Sequence, residues 1–203
     1  MKQTFIKVLT TVLLVPGLTV ALFSKYEVNC KLDKVLNESQ IENVMRPEAE
    51  NTFTDDWFSI YWNPSPESFA FRMENKTNTT ISIIWNDSAF VNEQGMSSKV
   101  FHGNMKLINK DEPIAPTNIP LLAKLDDMIA PVDYWYFGAA KKFGYGSAVK
   151  KWRSNPIWDN EIKDKEFEEL KGKDITFRVI LCVKKGEERR VYHFFFNAVG
   201  KKI

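Results

Sequence analysis

The chain has 203 residues, with 28 Lys plus Arg against 26 Asp plus Glu and a formal net charge of +2. Two of the lysines, Lys2 and Lys7, stand in a leading segment without Asp or Glu, so the chain from residue 22 onward is neutral. That removes the basic excess expected of a general nucleic-acid binder. A hydrophobic fraction of 44% and an aromatic fraction of 13% are ample for a packed core and exclude wholesale disorder.

The first 23 residues set the expected address. Lys2 and Lys7 form a positive flank, Val8–Val15 is an apolar run, and Pro16-Gly17 breaks it before Thr19-Val20-Ala21. This is the order of a secretory signal peptide over residues 1–21, exporting the chain to the periplasm or cell envelope. The alternative is an uncleaved membrane tether over residues 8–23, shorter than the roughly 20 residues of a comfortable span. Export would permit one disulfide between Cys30 and Cys182, the two cysteines present. Glu27-Val28-Asn29 before Cys30 does not suit lipid attachment.

Residues 22–56 read as a polar leader or linker. Leu32, Val35, Leu36 and Val44 could line a short helix ended at Arg46-Pro47. From residue 57 the apolar period becomes two. Phe58, Ile60 and Trp62 form one alternating run, Phe69, Phe71 and Met73 a second, and Ile81, Ile83 and Trp85 a third. Asn63–Pro66 and Asn75–Asn78 separate them as turns. At the other end Ile175, Phe177, Val179, Leu181 and Val183 point one way. Lys185–Glu188 turns the chain, and Val191–Phe196 returns as a strand apolar enough to need cover on both faces. The reading is a mainly β domain over 57–203, an immunoglobulin-like antiparallel sandwich with a long loop-rich insertion, behind an N-terminal hydrophobic segment. In the insertion, Ser98–His102 and Ile129–Phe137 suit strands, Asp111–Pro120 an extended loop, Phe143–Gly146 a flexible stretch, and Lys163–Lys171 a short helix.

The run Asn75–Val91, a polar turn, a strand, a Trp and an acidic turn, resembles a stretch of uncharacterised bacterial envelope proteins and lipoproteins. Ile119-Pro120 and Pro131-Val132-Asp133 are similar in kind. The resemblance implies an exported immunoglobulin-like sandwich. It supplies no catalytic residues, and this chain departs from the lipoprotein members in lacking their attachment motif.

Chemistry-bearing motifs are sparse. No Cys-x-x-Cys or Cys/His cluster suggests zinc, and no glycine-rich phosphate loop or Gly-x-Ser-x-Gly elbow occurs. The sequence therefore suggests no metal, no cofactor and no catalytic set. A hydrolase would have to use His102 with Asp126, Asp127 or Asp133. Asp55-Asp56 and Asp126-Asp127 are neighbours, which on a strand point to opposite faces and make poor acid–base dyads. The four Asn-x-Ser/Thr sequons, at Asn37, Asn75, Asn78 and Asn86, matter only in a eukaryotic secretory pathway, and Asn75 and Asn78 read as turn chemistry.

The segment with most recognition potential is aromatic. Tyr134, Trp135, Tyr136, Phe137, Phe143, Tyr145, Trp152 and Trp158 are interleaved with Lys141, Lys142, Lys150, Lys151 and Arg153. Rings stack on sugars or clamp peptides, and the cations pair with anions. The candidate ligand residues are Tyr134, Trp135, Tyr136, Trp152, Arg153 and Trp158. The partner would be an envelope protein, peptide or glycan, with nucleic acid disfavoured. The bland alternative is that alternate rings fill the core and the lysines form a solvated face.

Overall fold

The computed structural model describes residues 26–40, 44–103, 105–109, 112–139, 150–159, 161–162, 168 and 175–202. The signal-peptide and tether segments, Phe143–Gly146, and the Lys163–Lys171 helix apart from Glu168 lie outside them. The strands in chain order are β1 (Tyr26–Asn37), β2 (Thr52–Thr54), β3 (Phe58–Ser65), β4 (Ser68–Asn75), β5 (Ile81–Ile83), β6 (Ala89–Val91) and β7 (Ser97–His102). They continue as β8 (Thr117–Ile119), β9 (Lys124–Pro131), β10 (Trp135–Ala139), β11 (Lys150–Ser154), β12 (Glu161–Ile162), β13 (Ile175–Lys185) and β14 (Glu188–Lys202). The protein is mainly β and its strand pairs are antiparallel. One 12-stranded sheet runs β12-β1-β14-β13-β6-β7-β9-β4-β3-β2, with β5 and β8 attached beside β13.

The sheet curls until its two halves face each other across one aromatic core. β13 and β14 are central, as their unbroken apolar runs require. Phe194 and Phe196 point inward. Trp62 of β3 sits 5.0 and 5.4 Å from them, and Phe69 of β4 lies 4.7 Å from Phe196. Phe53, Phe58 and Tyr192 extend the same cluster in edge-to-face and tilted contacts. Phe195 points outward, where Lys34 and Arg178 cover its ring at 4.9 and 5.5 Å.

The leader expectation is corrected. Residues 26–37 are a 12-residue strand pairing along β14, so the domain begins well before residue 57. Val28, Cys30 and Leu32 alternate inward, and then the register shifts between Leu32 and Lys34. This β-bulge inserts one extra residue, Asp33, and turns Val35 inward. The resulting spacing of 32, 35 and 36 imitates a helical face, although the backbone is extended. The strand expected over Ile129–Phe137 also divides. β9 ends at Pro131, a 3-10 turn spans Val132–Tyr134, and β10 leaves as part of a different sheet.

The seam between the sheet's ends is stitched by residues 45–51. Met45 and Val35 exchange backbone hydrogen bonds of 2.8 and 2.9 Å. Asn51, at a positive φ of 59°, accepts the Leu32 N–H on its Oδ1 at 2.8 Å, and its backbone oxygen accepts the Trp62 N–H at 2.8 Å. The Leu32 N–H lies at the bulge, so the Asn51 side chain satisfies a donor that the interrupted ladder leaves over.

The Cys30–Cys182 disulfide is likewise corrected, since both thiols are free and buried. Cys30 stands opposite Ala198 and Cys182 opposite Val191. That spacing along β14 puts them about 23 Å apart at strand rise, against an upper limit of about 7 Å between bridged Cα atoms. Burial pushes the Cys30 thiol from an ordinary value of 9.0 up to about 12. The unfolded chain releases this proton near pH 9 and the folded chain holds it. The contribution is complete below that range and is lost as pH climbs toward 12. Stability should therefore fall by up to about 4 kcal/mol across that window. Thermal melts of the parent and Cys30→Ala check this: the alkaline fall should flatten in the variant, and an unchanged slope would refute it.

Candidate functional site

β10 and β11 form a separate two-stranded ribbon, in register from Trp135 opposite Ser154 to Ala139 opposite Lys150. Its base is held by Trp135, whose ring meets Phe101 edge-on at 5.5 Å. Phe101, Ala130 and Val132 with Met105, Met128 and Trp135 make a small cluster apart from the main core. The Asn155 N–H donates to the Tyr134 oxygen at 2.8 Å and fixes the second strand's exit. Beyond this base the rings leave the core.

Period-two alternation puts Trp135, Phe137 and Trp152 on one ribbon face and Tyr136, Gly138 and Arg153 on the other. Phe137 is 57% exposed and Tyr136 46%. Phe137 and Trp152 touch at 5.6 Å, forming a tilted pair. The Tyr136 ring lies across Gly138, where an added Cβ would meet ring carbons at 3.0 and 3.1 Å. Only glycine leaves room for that ring position. Lys150 and Lys151 are exposed. The Trp135 indole Nε1 and the Arg153 Nε are buried and meet no acceptor among the described residues. Each such orphan donor costs about 1–3 kcal/mol.

The structure thus brings Trp135, Tyr136, Trp152 and Arg153 together. Tyr134 is half-buried at the ribbon's root, 6.1 Å from Phe90. Trp158 is corrected: it is 9% exposed, packed between Phe69 and Phe177 at 5.9 and 5.5 Å, and belongs to the core. Lys141, Lys142, Phe143 and Tyr145 lie outside the described residues.

A second constellation surrounds His102. Its Nδ1 lies 2.9 Å from Asp127 Oδ2, with the two side chains 8% and 1% exposed. Asp127 Oδ1 accepts the Gly103 and Met128 N–H groups at 2.8 Å each. The carboxylate is an acceptor throughout, so the imidazole donates through Nδ1 and leaves Nε2 uncommitted to this pair. Trp85 stacks on the imidazole at 4.4 Å and 4°, and its Nε1–H donates to Thr117 Oγ1 at 2.8 Å. Asn86 clamps the facing proline-rich loop in two directions. It accepts the Ile114 N–H at 2.9 Å and donates to the Ile114 oxygen at 3.1 Å. His102 with Lys106, Asn109, Glu112, Ile114 and Thr117 lines a cleft of about 440 Å³.

The neighbouring Asp residues separate as strand geometry requires. Asp126 points away and takes two hydrogen bonds from the exposed Arg72, at 2.7 and 3.0 Å. Asp133 accepts from Ser98 Oγ. Of the three partners considered for His102, the structure selects Asp127. The other Asp pair is structural. Asp55 caps the Trp57 and Phe58 N–H groups and accepts the Tyr192 hydroxyl. Asp56 binds Arg190, whose hydrogen bond holds its carboxyl below the usual range. Reading the sequence alone missed Trp85 and Asn86, which a short 3-10 turn (Trp85–Asp87) places against elements distant in sequence. No protein-family model, no curated protein and no solved structure matches this chain.

Proposed function

We propose that the chain is an exported cell-envelope protein, a binding or scaffolding module, and that the β10–β11 ribbon is its recognition element. One observation carries this reading. The ribbon displays Tyr136 and Phe137 to solvent while the comparable ring of Trp158 is packed away. Large rings left outside a well-filled core mark contact surfaces. The flanking Lys150 and Lys151 are exposed and add positive charge. Ring faces that stack on sugars and cations that pair with anions suit an acidic envelope glycan. The immunoglobulin-like description of the sandwich belongs to this reading too, supported by the two facing sheet halves on one aromatic core.

The test is co-sedimentation of the full chain with insoluble envelope material from its native host. The parent should sediment and Tyr136→Ala/Phe137→Ala should stay in the supernatant, with melting temperatures within about 2 °C because exposed rings contribute little to stability. Equal sedimentation of both proteins would remove the ribbon from the account. Capture that disappears after protease treatment of the envelope material would replace the glycan with a peptide ligand.

A second reading, an envelope hydrolase acting through His102, is favoured by its 2.9 Å contact with Asp127 inside a cleft.

A further inference from the structure

The geometry points to the His102 cleft as a hydrolytic site for small carboxylic esters, with His102 as general base on water and Asp127 as its positioning residue. The inference deepens the hydrolase reading and does not depend on what the ribbon binds. A buried histidine that lines a cleft, and whose Nδ1 is fixed by a buried carboxylate, has one tautomer and one orientation. That is more organisation than packing requires. The carboxylate is itself held by two backbone N–H groups, and the ring face is covered by Trp85 at 4.4 Å. Among the described residues no hydrogen bond occupies Nε2.

The cleft is of a size that takes small ligands. Ile114 and Met105 offer apolar walls for an acyl or alkyl part, and Lys106 and Asn109 carry donors suited to a carbonyl oxygen that gains charge. Lys106 and Glu112 place both signs of charge on the described lining. Thr117, the lining hydroxyl nearest in kind to a nucleophile, accepts the Trp85 N–H. The proposed nucleophile is water.

In the step, Nε2 takes a proton from water as its oxygen adds to the ester carbonyl carbon. The acyl C–O bond of the adduct then breaks, and the imidazolium gives its proton to the departing alkoxide. One ester and one water become one acid and one alcohol, and the ring is restored. An alkoxide leaves with only this help, whereas an amide nitrogen would need more, which makes esters the substrate class.

The experiment uses the full chain with p-nitrophenyl acetate and butyrate. The parent should release nitrophenol above the buffer rate. His102→Gln should lower kcat by about 10²–10⁴-fold, the usual range for a general base. His193→Gln, which removes the chain's other histidine, should leave it unchanged. Asp127→Asn should lower kcat with KM held, because an amide can present the wrong tautomer. Turnover by the parent itself decides the matter even where a variant fails to fold. No turnover above buffer, or turnover surviving His102→Gln, overturns the proposal. Loss of esterase activity with intact envelope binding, or the reverse, separates this site from the ribbon.

Discussion

Asn75→Ala should destabilise the protein by about 3–5 kcal/mol, lowering its melting temperature by roughly 10 °C for a chain of this size. The side chain is fully buried and joins two loops. Its Nδ2 donates to the oxygens of Thr79, Ile119 and Pro120 at 2.7, 2.9 and 3.0 Å. Its Oδ1 accepts the Thr77 N–H and hydroxyl at 2.8 Å each. Alanine would leave several buried backbone groups without partners, and each costs about 1–3 kcal/mol. A melt within 2 °C of the parent would show that water can replace the amide. The same burial means that Asn75, despite its sequon, presents no free amide in the folded protein.

The second large effect separates two kinds of ring. Trp158→Ala should cost about 3–5 kcal/mol, the usual consequence of emptying a buried Trp or Phe site. Its ring is wedged between Phe69 and Phe177, beside the β14 aromatics. Phe137→Ala, only 21 positions earlier in the same aromatic segment, should leave stability nearly unchanged. Chemical denaturation of the two variants reads the contrast directly. Equal destabilisation would mean that the ribbon is part of the core and presents no recognition surface.

Long alternating runs were legible in the sequence, and broken ones were not. β3, β4, β13 and β14 carry period-two patterns that tertiary packing then uses, although β3 continues through Asn63–Ser65, which were expected to turn, and the chain reverses only at Pro66-Glu67. β1 was hidden because a single inserted residue, Asp33, resets the alternation and produces a helix-like spacing. The ribbon residues were legible as a set, but the sequence could not sort them. Trp152 and Trp158 look alike in the chain, and only the departure of the Trp135–Ala139 strand into its own sheet exposes one group and buries the other. The His102 site was half legible. Strand alternation excluded Asp126 and Asp127 from acting together, yet choosing between them required knowing that β7 pairs with β9. The disulfide failed for the same kind of reason, since pairing register and not cysteine count decides which thiols meet.

The most direct test of the recognition claim is an amide NMR titration of the full chain with soluble acidic glycan fragments from the host envelope. Shift changes should concentrate at residues 135–139 and 150–154 and diminish as salt rises, because exposed charge pairs are screened. Changes clustered instead on the outer face of β1 and β14, around Asn29–Asp33 and Asn197–Gly200, or no changes at saturating fragment, would contradict the account.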